Sequence, residues 1–256
     1  MTQRIGTAAT VLVLFTALQG QGNLPYPTED YFGGGIGYTP MFLSIDIAQA
    51  FPFNVKGADG KTTGLLTSGM GFSDEEISGL GNLLVIHGAE GFGNITGHWR
   101  IGAYVGLGAR SIARVDSATN SRTDLKVSLS TGNISLEVVA PIFSNLEISA
   151  GSLFGFSRAT IQASSTLDEP DWEKQIQYTD SSNTSVTLSG RFFSFQPYVA
   201  MKLQFLNRAG LRMSAGYQVG TLATDQWTLN GFKRILSPSA GNFNALAVRL
   251  MLYIGI

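Results

Sequence analysis

Residues 97–115, GHWRIGAYVGLGARSIARV, alternate in character along their whole length. Trp99, Ile101, Ala103, Val105, Leu107, Ala109, Ser111, Ala113 and Val115 occupy one side of an extended chain. His98, Arg100, Gly102, Tyr104, Gly106, Gly108, Arg110, Ile112 and Arg114 occupy the other. Successive side chains of a strand point to opposite faces, so one face is apolar and the other is glycine, arginine and tyrosine. The period of two outlasts the about five or six residues of an ordinary strand.

The same alternation recurs. Leu146, Ile148, Ala150, Phe154 and Phe156 oppose Glu147, Ser149, Gly151, Gly155 and Ser157. Phe193, Phe195, Val199, Met201, Leu203 and Phe205 oppose Ser194, Gln196, Tyr198, Lys202 and Gln204. Leu211, Met213, Tyr217 and Val219 oppose Arg212, Ser214, Gly216 and Gln218, and Leu246, Val248, Leu250, Leu252 and Ile254 oppose Ala247, Arg249, Met251 and Tyr253. Residues 124–142 also alternate, but the apolar parity changes. Val127 and Leu129 are odd, whereas Ile134, Leu136 and Val138 are even. A β-bulge at Thr131-Gly132-Asn133 is expected to restore the facing, in preference to a short turn.

The pattern predicts eight strands, at about 33–47, 82–95, 97–115, 124–142, 145–162, 185–206, 209–224 and 243–256. Pro40 interrupts the first, where the parity also changes, and 41–51 can instead be read as a short helix. Ser73 and Glu76 form a capping-box pattern, which predicts a short helix over 74–80 in the first long loop. The links between strands alternate strictly between short (near 96–97, 143–145 and 207–210) and long (48–81, 116–123, 163–184 and 225–242). Short turns at one end and long loops at the other are the habit of an antiparallel up-and-down transmembrane barrel.

Composition agrees. Charged residues make up 14% of the chain, against roughly 25% in an ordinary soluble domain. The net charge of −1 and a pI near 6.1 argue against a nucleic-acid partner. The absence of cysteine excludes a disulfide scaffold or a thiolate metal site. The segment 1–22 has a positive n-region at Arg4, an apolar run from Ala8 to Leu18, and small residues at Gly20 and Gly22. It reads as a signal peptide cleaved after Gly22, leaving 23–256 as one barrel domain. No later segment holds 18 consecutive apolar residues, so export followed by membrane insertion requires a closed barrel.

With GHWRIGAYVGLGARS, FSNLEISAGSLFGFSR, FSFQPYVAMKLQFLNRAGLRMSAGYQVG and the terminal AVRLMLYIGI, residues 32–256 resemble a bacterial outer-membrane β-barrel of the small, eight-stranded kind. That resemblance implies a Gram-negative outer membrane, its lipids as surroundings and the β-barrel assembly machinery as partner. Such barrels usually end in an aromatic residue; this chain ends in Ile256.

The non-apolar face supplies the candidate site. His98, Arg100, Tyr104, Arg110, Arg114, Lys202, Arg212 and Arg249, with Glu137 and Glu147, are expected to face the lumen. They read as an internal ion-pair network or, more sharply, as a basic passage for anions. Trp99, Phe143, Phe195 and Phe205 are expected at the membrane interfaces. Asp168, Glu169, Asp171 and Glu173 make an acidic outer loop, read as a solvated rim that could also take a cation or a cationic partner. Neither H-E-x-x-H nor a complete phosphate-loop motif occurs, so no metal or cofactor is expected. Four roles stay open: a non-enzymatic structural or ligand-binding barrel working through its outer loops, a narrow pore for small solutes, a lipid hydrolase using His87 or His98, and a soluble barrel around a lipophilic ligand.

Overall fold

A computed structural model of the protein describes residues 34–51, 54–56, 62–64, 72–96, 98–116, 121–143, 145–167, 184–206, 208–223, 226–234 and 241–255. The export segment 1–22 and the acidic loop residues Asp168, Glu169, Asp171 and Glu173 lie outside the described residues.

In chain order the elements are β1 (Gly34–Tyr38), β2 (Met41–Ser44), α1 (Ile47–Ala50), β3 (Asn54–Lys56), β4 (Thr62–Gly64) and α2 (Asp74–Ser78). Then come β5 (Leu83–Asn94), β6 (Trp99–Asp116), β7 (Ser121–Phe143), β8 (Leu146–Leu167) and β9 (Thr184–Leu206). The last are β10 (Ala209–Leu222), β11 (Trp227–Leu229), β12 (Lys233–Arg234), β13 (Gly241–Asn242) and β14 (Ala245–Gly255).

β5 through β10 pair with their chain neighbours, all antiparallel, and β14 joins β10. β1 and β2 form one broken stave that lies between β14 and β5 and closes the ring. The break is at Thr39-Pro40. Proline has no N–H to donate, and the ladder resumes through Thr39 N–H to Gly88 O at 2.8 Å and Leu250 N–H to Pro40 O at 3.2 Å. The result is an eight-stave antiparallel up-and-down barrel. The helical reading of 41–51 holds only for α1, and the capping box is present at α2: Glu76 N–H donates to Ser73 Oγ at 3.2 Å, and Ser73 N–H to Glu76 Oε2 at 2.7 Å. The link 225–242 is not the plain loop expected of it. It carries the β11–β12 hairpin, which extends the sheet beside β9 where β10 has ended, and β13, which pairs β10.

The expected bulge at 131–133 is absent. β7 keeps one register against β6 from Trp99↔Val138 to Asp116↔Ser121, and against β8 through the same residues. Its register shift against β8 lies at Pro141/Phe143, beside the turn. Odd residues from Thr123 to Val139 are buried throughout. What changes is the surroundings. Below Gly132 the interior takes Asn133, Ser135 and Glu137 while Ile134 and Leu136 point outward; above it the interior takes Leu125, Val127 and Leu129 while Arg122 and Lys126 point outward. The parity change in the first stave has the same cause. Ile36 and Tyr38 face out, Met41 and Leu43 face in, and even and odd positions never exchange sides.

This inversion defines two storeys. In the lower one an exposed apolar belt runs from Trp99, Phe143 and Phe205 up to Val105, Phe156 and Phe193. Ten residues at ~3.3 Å with a ~40° tilt cover roughly 25 Å, the apolar height of a membrane barrel. In the upper storey four staves continue. β6 to β9 have 18, 23, 22 and 23 residues, whereas β5, β10 and β14 have 12, 14 and 11. Ala159, Ile161, Leu188 and Phe192 from this tall wall pack on Phe51 of the segment after α1, Ile77 of α2, Trp227 of β11 and Phe243. Phe243 stacks on Phe192 at 4.6 Å between centroids and meets Phe51 edge-on at 5.2 Å.

Candidate functional site in the barrel lumen

The lower storey has to fill an eight-stave interior, which is about one layer of side chains wide. It does so with charge. Lys202 Nζ lies 3.0 Å from Glu147, whose other oxygen accepts from Arg100 at 2.6 Å. Arg100 also lies 3.7 Å from Glu137. Glu137 accepts from Arg212 at 2.6 Å; Arg212 in turn pairs with Glu90; and Glu90 accepts from Arg249 at 3.0 Å. Signs therefore alternate along Lys202–Glu147–Arg100–Glu137–Arg212–Glu90–Arg249. Each member comes from a different stave: β9, β8, β6, β7, β10, β5 and β14.

Burial makes the chain of charges consequential. Arg100, Arg212 and Arg249 are among the largest fully buried side chains of the described residues. A charge taken out of water must be paired and hydrogen-bonded; Glu137 meets this in full, while Arg100, Arg212 and Arg249 each keep at least one buried guanidinium nitrogen without a hydrogen-bond partner among the described residues. Besides its two arginines Glu137 accepts from Tyr198 Oη at 2.7 Å and Ser149 Oγ at 2.8 Å. Arg100 donates to Asn94 Oδ1 at 2.9 Å and lies 4.7 Å above the Phe92 ring; Arg249 lies 4.4 Å above Tyr198. Glycines make the room. A Cβ at Gly88 or Gly106 would lie 2.6 or 2.7 Å from the Tyr104 hydroxyl, so both walls beside that ring must be bare.

Above the charges lies a neutral layer. The Ser157 hydroxyl is 2.9 Å from that of Thr131 and 3.1 Å from that of Ser194, and Asn133 bridges Thr131 and Ser194 at 2.7 and 3.0 Å. Above that layer begins the apolar interior of the upper storey.

Seven residues expected in the lumen meet there: Arg100, Tyr104, Glu137, Glu147, Lys202, Arg212 and Arg249. Three do not. His98 is exposed in the β5–β6 turn, where alternation has ended. Arg110 is exposed and donates to the Leu83 carbonyl at 3.1–3.2 Å. Arg114 sits near the top of β6 with Glu76 3.9 Å away. For these two, the wall has risen past the polar section of the lumen. Glu90 is a member that the sequence reading lacks. Its signal is present: it is the one charged residue in the run LLVIHGAEGFGN apart from any charge on His87, and a lone carboxylate inside a strand requires a buried partner. Trp99, Phe143, Phe195 and Phe205 are all exposed on the outer face. His87 faces outward, with its Nδ1 2.5 Å from the Tyr38 hydroxyl. Neither histidine ring hydrogen-bonds a carboxylate among the described residues.

No protein-family model matches the chain. No curated protein matches it either. Solved structures do. The outer membrane protein OprG from Pseudomonas aeruginosa is 10% identical, with a TM-score of 0.45 over 88% of this chain and 95% of that one. A major outer membrane protein from Thermus thermophilus is 9% identical, with a TM-score of 0.41 over 88% and 99%. Ail, the attachment invasion locus protein of Yersinia pestis, in complex with a heparin analogue, is 9% identical, with a TM-score of 0.38 over 88% and 97%.

Proposed function

We propose that the protein is a non-enzymatic barrel of the Gram-negative outer membrane, sealed inside and working through its outer surface. The single observation that carries this reading is the alternating chain of seven charges, one from each of seven staves, all paired and all buried but the partly exposed Glu147. Such a chain holds the staves together across the lumen and leaves no continuous water path at its level. The exposed apolar belt with aromatics at its edges supports membrane placement; outer-membrane lipids and the β-barrel assembly machinery are then its partners. The tall wall of β6–β9 and the links at its top form the working surface.

Conductance in planar bilayers tests this. The wild type is expected to be silent. Replacing Glu137 and Arg212 together by alanine removes the middle of the chain of charges and is expected to produce stepwise currents. A wild type that conducts overturns the sealed reading and favours a narrow pore. Its four cations against three carboxylates would then predict anion preference.

A further inference from the structure

We infer that Arg158 and Arg191 form a binding site, on the outer wall, for the phosphate of a phosphorylated membrane lipid. The two residues are direct cross-strand partners on β8 and β9, and both are exposed. Like charges directly opposite one another destabilise a sheet, and an anion bound between them would offset that cost. Among the described residues neither guanidinium has a carboxylate partner, whereas Arg122, elsewhere on the outer face, is matched by Asp124 at 3.0 Å.

Position selects the ligand. One step down each strand's outer face from the arginines are Phe156 and Phe193, also direct partners, packed edge-to-face with centroids 6.0 Å apart. They are the uppermost aromatics of the apolar belt, so the arginines stand where hydrocarbon gives way to headgroups. A groove of about 750 Å³ is lined by all four, with Gln226 and Gly132. Gly132 faces outward opposite Phe156, and a Cβ built there would meet nothing within 4 Å. The wall therefore has a bare notch beside two rings, topped by two guanidinium forks. A fork matches a phosphate in bidentate fashion, and the notch takes the first methylenes of an acyl chain. A soluble anion would use the forks alone; the apolar half of the groove fits a lipid.

This inference rests on the membrane reading above, and the experiment separates the two. The full chain is refolded into zwitterionic micelles, and its closed-barrel state is checked by the heat-dependent shift on SDS gels. It is then titrated calorimetrically with dihexanoyl phosphatidic acid, with dihexanoyl phosphatidylcholine as the uncharged-headgroup control. Saturable one-to-one binding of the phosphatidic acid alone is expected. R158Q and R191Q should each weaken it about tenfold, the double variant should abolish it, and Gly132→Ile, which fills the notch, should weaken it with both arginines intact. K126Q, exposed on β7 away from the groove, should bind like wild type. A double variant that keeps the heat shift and binds normally overturns the site. Equal competition by inorganic phosphate, with no effect of Gly132→Ile, overturns the lipid as its ligand. Loss of the heat shift in the wild type instead overturns the barrel reading.

Discussion

Below Gly132, strand β7 turns Ile134 and Leu136 outward and Asn133, Ser135 and Glu137 inward; above it, Arg122 and Lys126 face out and Leu125, Val127 and Leu129 face in. One unbroken strand thus carries a membrane-protein pattern and a soluble-protein pattern end to end. In the lower storey, lipid is the apolar phase and the interior has to hold the polar groups. In the upper storey, water is outside and the apolar groups retreat inward. Backbone geometry is common to both; only the solvent differs. The polarity of a strand face therefore reports what lies beyond it, not which way the strand is turned.

The sharpest way to break this contrast is to unbalance the lower interior. Glu137→Ala leaves Arg212 and Arg100 short of their shared carboxylate, and truncating one partner of a buried pair costs about 3–5 kcal/mol. Urea unfolding from lipid vesicles should show that loss as a lower midpoint. Reversing the outer face is next in size. Ile134→Lys places a cation in the belt, worth roughly 2–4 kcal/mol near the bilayer midplane and less toward its edge. Lys126→Leu, on the same face of the same strand in the upper storey, should stay within about 0.5 kcal/mol. Equal effects from these two variants would erase the boundary at Gly132.

Core truncation in the upper storey should act locally. Val127→Ala removes buried methyls and costs about 2 kcal/mol, read as faster proteolysis of the upper staves while the heat shift persists. The smallest effect concerns α2. The Ser73 N–H bonded to the Glu76 carboxylate holds that group below the usual glutamate range, with smaller help from the Ser73 side chain and Arg114. Because the folded-state value is depressed, this contribution is full above the unfolded value and is lost as pH falls through the folded one. Protection of the Ile77 and Ser78 amides, taken relative to the intrinsic exchange rate at each pH, should fall over that acidic window, while protection in β7 and β8 stays constant.

The ring of eight staves is legible because period-two alternation is a direct image of two unlike faces. Its strict reading also produces the error. Placing Val127/Leu129 and Ile134/Leu136 in a common apolar phase forces a bulge that the register does not contain. The lumen is legible to the extent that charge on a glycine-rich face inside an apolar belt has few places to go, as Arg100, Glu137 and Arg212 show. Glu90 is not legible by alternation alone, because its strand has apolar residues on both faces: Leu84 and Ile86 inward, Leu83 and Val85 outward. Nor is the β11–β12 hairpin. Its turn at Asn230-Gly231, with φ of 47° and 77°, lies in a short segment whose pairing depends on β9 outrunning β10.

The order in which the charges meet has a kinetic consequence. Arg100 and Glu147 are 47 residues apart, Glu137 and Arg212 are 75, and Glu90 reaches Arg212 over 122 and Arg249 over 159. The early partners can associate while the sheet is still growing, but Arg249 arrives with the last strand. Until then Glu90 lacks one of its two cations, and its second oxygen has no partner in the network. Such long-range contacts form slowly because loop closure precedes their reward. Ring closure is therefore expected to come late in folding, and neutralising Arg249 should slow it, read as delayed appearance of the heat-shifted band on SDS gels.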